Sequence, residues 1–91
     1  MLLTRLRFVV AGRVQGIGYR WFVRENAEKL GVVGWARNRE DGTVEVEAQG
    51  ADDALEAFVG ALKTGHPLAR VDRLTSETIA VQGDKTFEIR R

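Results

Sequence analysis

Ninety-one residues make one domain, and a chain of this length can bury roughly 60–70% of the surface its unfolded form exposes, enough for a modest core without staples. The absence of cysteine excludes a disulfide scaffold and a thiolate metal site, and 14 basic against 13 acidic residues give no broad electrostatic reason to expect nucleic acid or an anionic membrane. No apolar run reaches the roughly 18 residues of a membrane span, and Arg5 and Arg7 interrupt "MLLTRLRF" short of a signal peptide, so a cytoplasmic protein is expected.

Leu6, Phe8 and Val10 alternate with Arg5, Arg7 and Val9, so residues 4–11 read as a strand with one buried face. The stretch "GRVQGIGYRWF", Gly12 to Phe22, follows. From about Trp21 to Leu30, Val23, Ala27 and Leu30 recur at helical spacing, and Gly31 is a natural stop. Trp21 and Phe22 read as packing residues that anchor the helix start. Val33–Asn38, "VGWARN", is the next strand, with Trp35 in the core or half-buried and Arg37 and Arg39 on a solvated face. After the Asp41-Gly42 turn, Val44, Val46 and Ala48 alternate with Glu45, Glu47 and Gln49, which makes the glutamates the wet side of a third strand.

A second helix begins near Asp52 or Asp53, where Asp53 and Glu56 have the spacing of a capping pair. Leu55, Phe58, Val59 and Leu62 form its apolar stripe and Gly65 closes it. His66, beside Pro67, reads as a turn residue without a catalytic role. Val71–Val81 is an irregular strand, and "TFEIR" is a short last one. The order β-α-β-β-α-β predicts an α+β, ferredoxin-like sandwich: two helices on one face of an antiparallel sheet, plus a short extra C-terminal strand. In the usual strand order the first and second strands are parallel with the third between them. The ends carrying the glycine stretch and Asn38 then lie at one sheet edge, about 10 Å apart by strand spacing.

Arg20 sits where the glycine stretch gives way to the helix, and the helix dipole already makes that end positive. A bound anion resolves the conflict. Gly16 and Gly18 let successive N–H groups curl into one concavity, and the helix start adds its own unpaired donors. A guanidinium–phosphate hydrogen bond is worth about 1.5–3 kcal/mol, against about 0.3–1 kcal/mol for the dipole. The residues alone also allow a plain turn, with Arg20 paired to Glu25 or solvent, and Asn38 as an ordinary turn residue. The glycine spacing fits neither the P-loop nor the dinucleotide fingerprint.

"GRVQGIGYR" followed by "LGVVGWARNREDGTVEVEAQG" closely resembles the acylphosphatase family, over essentially the whole chain including the closing "FEIR". Ile17 and Tyr19 stand where that family commonly has Val and Phe, and Ala36 replaces Val; none of these removes a functional group. The hydroxyl of Tyr19 has no assigned role, and the tail Arg90-Arg91 stands where relatives often carry an aromatic. The resemblance implies a single domain over residues 1–91 that hydrolyses small-molecule acyl phosphates to a carboxylate and inorganic phosphate. It implies that the backbone N–H groups of Gln15, Gly16, Ile17, Gly18, Tyr19 and Arg20 hold the phosphoryl oxygens, that the Arg20 side chain adds charge, and that Asn38 holds the attacking water.

The residues agree with that chemistry. The two motifs place no Asp, Glu, His, Cys or Lys at the site, so no protein acid, base or metal ligand is on offer, and neither cofactor nor metal is expected. A carboxylate whose conjugate acid has a pKa of about 4.3 leaves unprotonated at neutral pH, so positioning and electrostatics suffice. Three rivals remain: a non-catalytic anion-binding module, for which Asn38 has no use; an RNA-binding domain, at odds with an acidic third strand that lacks aromatics; and an accessory domain of a larger carbamoyl-transfer protein. The expectation is a free-standing, monomeric enzyme without nucleic-acid or membrane partners.

Overall fold

A computed structural model describes residues 2–91. Seven elements follow in order: β1 (Thr4–Arg13), α1 (Tyr19–Leu30), β2 (Val33–Asn38), β3 (Val44–Gly50), α2 (Asp52–Thr64), β4 (Arg70–Ile79) and β5 (Phe87–Arg90). The sheet order is β4-β1-β3-β2-β5. β3 pairs antiparallel with both β1 and β2, so those two run parallel and end at the same edge, as the ferredoxin-like pattern requires. β5 pairs parallel with β2, Gly34 opposite Phe87, which makes the five-stranded sheet mixed.

Period-2 alternation decides which face is the core. Phe8, Val10, Val44, Val46 and Ala48 project to one side and are buried against Val23 and Ala27 of α1 and Leu55, Phe58 and Leu62 of α2. Phe58 links the layers, with ring centroids 6.2 Å from Phe8 and 6.1 Å from Phe87. Burying such a side chain contributes about 1.5–3 kcal/mol. Both helices end at the expected glycines, Gly31 and Gly65.

Several local expectations are corrected. β1 runs on to Arg13 past a register shift at Ala11/Gly12, and α1 starts at Tyr19, two residues early. Asp53 and Glu56 form no capping box: the N-cap is Ala51, without a side-chain cap, and the Asp53 carboxylate accepts from the adjacent Ala54 N–H instead. Glu45 and Glu47 are not on a wet face. Glu45 is 5% exposed and accepts from Arg7 and Arg37, while the fully buried Arg5 donates to Glu47, Gln49 and Asp84. The segment between β4 and β5 crosses this face and is pinned there, Gln49 exchanging hydrogen bonds with the backbone of Gln82. An alternating strand cannot reveal which polar face a distant loop will cover.

Candidate active site

The polypeptide leaving β1 turns through Gly16 (φ +77°) and Gly18 (φ +75°) before entering α1. Both lie in the left-handed region, where a side chain costs about 1–2 kcal/mol, and both have open space where a Cβ would stand. The first α1 turn bond runs from the Phe22 N–H to the Gly18 carbonyl, so the N–H groups of Tyr19, Arg20 and Trp21 precede the helical ladder. Among the described residues, the N–H groups of Gln15 to Gly18 have no backbone acceptor either. A run of donors therefore brackets the loop, in a first turn that carries no acidic residue.

A cleft of about 300 Å³ opens at this place, lined by Val14, Gly16, Gly18, Tyr19, Arg20, Trp21 and Asn38. The fold thus brings Arg20 and Asn38 together across 18 residues of sequence. Asn38 ends β2 opposite Val44, on the helix-bearing side of the sheet, and its Oδ1 is buried without a hydrogen-bond partner. Among the described residues, no carboxylate, Glu25 included, pairs with Arg20. Its Nη1 donates to the Arg90 carbonyl (2.8 Å), which draws the end of β5 against the cleft, and among the described residues no other hydrogen bond or ion pair engages the guanidinium. The C-terminal tail is thus a neighbour of Arg20.

Gln15 and Ile17 send their side chains away from the cleft. The Gln15 amide donates to the carbonyls of Arg39 (2.8 Å) and Thr43 (2.9 Å), stapling the glycine loop to the β2–β3 hairpin. Ile17 packs against the core. The hairpin itself is set by Asp41, whose carboxylate accepts from the Thr43 N–H and hydroxyl; these bonds hold the Asp41 carboxyl below the usual carboxylate range. The Tyr19 hydroxyl points into the core and donates to the Leu62 carbonyl (2.7 Å), joining the start of α1 to the end of α2, and burial raises its pKa. His66 stacks edge-on to Phe22 at 5.1 Å and takes no part in the cleft.

Trp21 was expected to pack. It is 58% exposed, lines the cleft, and carries the Arg24 guanidinium over its ring at 4.1 Å from the centroid. Phe22 does pack against the core. One-dimensional periodicity gives Trp21 no apolar partner at i+3 or i+4, where Arg24 and Glu25 stand, and that is the signal for exposure. Trp35 is buried on the sheet face away from the helices, under the Arg90 guanidinium at 4.8 Å. Arg37 is paired to Glu45, and Arg39 lies 3.8 Å from Asp41. Among the described residues no three His, Cys, Asp or Glu side chains cluster as a metal site, and no helix is long and apolar enough to cross a membrane.

The Acylphosphatase family pattern matches residues 6–89. The acylphosphatase of Bacillus subtilis is 42% identical over 88 residues, covering 96% of this chain and 97% of that one. The crystal structure of acylphosphatase from Bacillus subtilis superposes with a TM-score of 0.93 at 40% identity, over 99% of this chain and 100% of that one. The structure of an acylphosphatase from Coxiella burnetii gives a TM-score of 0.92 at 35% identity, over 97% and 93%.

Proposed function

The chain belongs to the acylphosphatase family, and on that premise we propose that it cleaves the carboxyl–phosphate bond of acyl phosphates by in-line attack of a water held by Asn38. The observation that carries this reading is the buried, unpartnered Asn38 Oδ1 in the wall of the cleft that Gly16, Gly18 and Arg20 also line. An amide oxygen left without a donor costs about 1–3 kcal/mol, and a water donating to it would remove that cost. A purely anion-binding module would have no reason to place this group there.

In this mechanism the loop N–H groups from Gln15 to Arg20 surround the phosphoryl oxygens. Arg20 adds charge where the transition state spreads it. The water oxygen forms a bond to phosphorus as the phosphorus–oxygen bond to the acyl group breaks. The carboxylate departs with that electron pair, and the water's proton passes to a phosphoryl oxygen. The Arg20 bond to the Arg90 carbonyl keeps the guanidinium near the cleft before substrate arrives, which lowers the side-chain entropy lost on binding. The Gln15 staple keeps the cradle and Asn38 at fixed separation.

The test is release of inorganic phosphate from acetyl phosphate with excess chelator. The proposal expects turnover that the chelator does not diminish. Absence of turnover, or turnover restored only by added divalent metal, contradicts it.

A further inference from the structure

We propose that Trp21 is a specificity-determining residue that receives the acyl group, favouring acyl phosphates with a flat, apolar acyl moiety over the small acetyl group. The inference rests on the acyl phosphate reading and extends it to the half of the substrate that the phosphate cradle does not touch.

Two observations single out this residue. The first is position within the cleft. In-line displacement puts the leaving group on the side of phosphorus opposite the attacking water. Asn38 holds the water, and it also borders a second hollow of about 490 Å³ with Arg37, Arg39, Glu40, Asp41 and Arg91. That hollow is lined by charges of both signs and offers no apolar side chain. Among the remaining cleft side chains, Val14 and Tyr19 are buried and Arg20 is committed to the phosphate. Trp21 is the exposed apolar surface left for the acyl group.

The second observation is how the indole is held. The Arg24 guanidinium lies 4.1 Å from its ring centroid, and the Arg24 Nε is buried without a hydrogen-bond partner. Arg24 has no carboxylate within ion-pair distance among the described residues, so the indole is its resolved partner. Layering a cation on one ring face fixes the rotamer of an otherwise exposed side chain and so reduces the ordering cost of a ligand contact. It also draws electron density from the ring, which disfavours a cationic ligand on the free face. Neutral, planar acyl groups suit that face.

The experiment compares acetyl phosphate with benzoyl phosphate, two substrates with the same phosphoryl group, in the wild-type protein and in W21A and W21F. Taking the ratio of kcat/KM values within each protein, then comparing proteins, cancels the intrinsic reactivity of the two leaving groups. The benzoyl-to-acetyl ratio should fall about tenfold in W21A, the scale of one lost aromatic contact, and return most of the way in W21F. Phosphate inhibition, which reads the cradle alone, should shift much less than that ratio. If W21A lowers both substrates by the same factor, or leaves the ratio as it was, Trp21 does not read the acyl group while the hydrolytic reading stands. If wild-type protein hydrolyses neither substrate, the functional reading fails and takes this inference with it.

Discussion

Gln15 offers a perturbation whose size follows from the geometry. Gln15→Leu keeps the side-chain bulk and deletes two hydrogen bonds, to the carbonyls of Arg39 and Thr43. Neither carbonyl is orphaned, because Arg39 still accepts from the Gly42 N–H (3.2 Å) and Thr43 from the Arg39 N–H (2.9 Å). The loss is therefore that of two partly buried bonds with no added desolvation cost, about 1–3 kcal/mol in all. In a domain of this size it lowers Tm by roughly 4–24 °C. The functional effect is separable from the stability effect. The glycine loop keeps its own conformation, so the dissociation constant of inorganic phosphate, measured by calorimetry well below Tm, should change less than about threefold. The separation of cradle and Asn38 is no longer fixed, so kcat should fall about tenfold or more, misplacement of about 1 Å being enough for such losses. Equal turnover in Gln15→Leu and wild type, with Tm within a degree or two, would refute the staple.

Three further outcomes follow. Arg20→Gln removes the charge-assisted bonds to the phosphoryl group and should weaken phosphate binding about ten- to a hundredfold, read by calorimetry, with turnover falling at least as much. Tyr19→Phe removes a buried bond to the Leu62 carbonyl far from the cleft, so Tm should drop by the equivalent of about 1–3 kcal/mol while phosphate affinity is retained. Burial works against ionised Glu45, but the bonds from Arg7 and Arg37 outweigh it and hold the carboxyl below its ordinary value. A depressed folded pKa contributes stability that is present above the unfolded value of about 4.3 and lost as pH falls through the folded one. The Tm of wild type should therefore decline more steeply below about pH 5 than that of Glu45→Gln; parallel profiles would remove Glu45 from the acid sensitivity.

The parts of this fold that short-range pattern controls were legible in the sequence. Period-2 runs named the sheet's core face, the stripe Leu55, Phe58, Leu62 named the α2 face, and Gly31 and Gly65 marked both helix ends. The misfit of Arg20 at a helix start pointed to the loop, and the strand order placed Asn38 beside it. What stayed hidden depends on distant segments. Glu45, Glu47 and Gln49 look solvated until Arg5, Arg7 and the 80–86 segment cover them. Tyr19 stands beside the loop in sequence, yet its hydroxyl reaches a carbonyl 43 positions away. The Arg20–Arg90 bond joins residues 70 apart, and no local rule foresees it. Trp21 departs from its sequence expectation for the opposite reason. Its aromatic character suggested packing, whereas its helical position faces the cleft.

The division of labour between cradle and carboxamide is tested most directly by Asn38→Ala, with phosphate affinity and acetyl phosphate turnover measured on the same preparation. Deleting the carboxamide should cut kcat by about a hundredfold or more while inorganic phosphate binds within a fewfold of wild type. Normal turnover in that variant would contradict the account at its centre, and so would loss of turnover and phosphate binding together in a protein that remains folded.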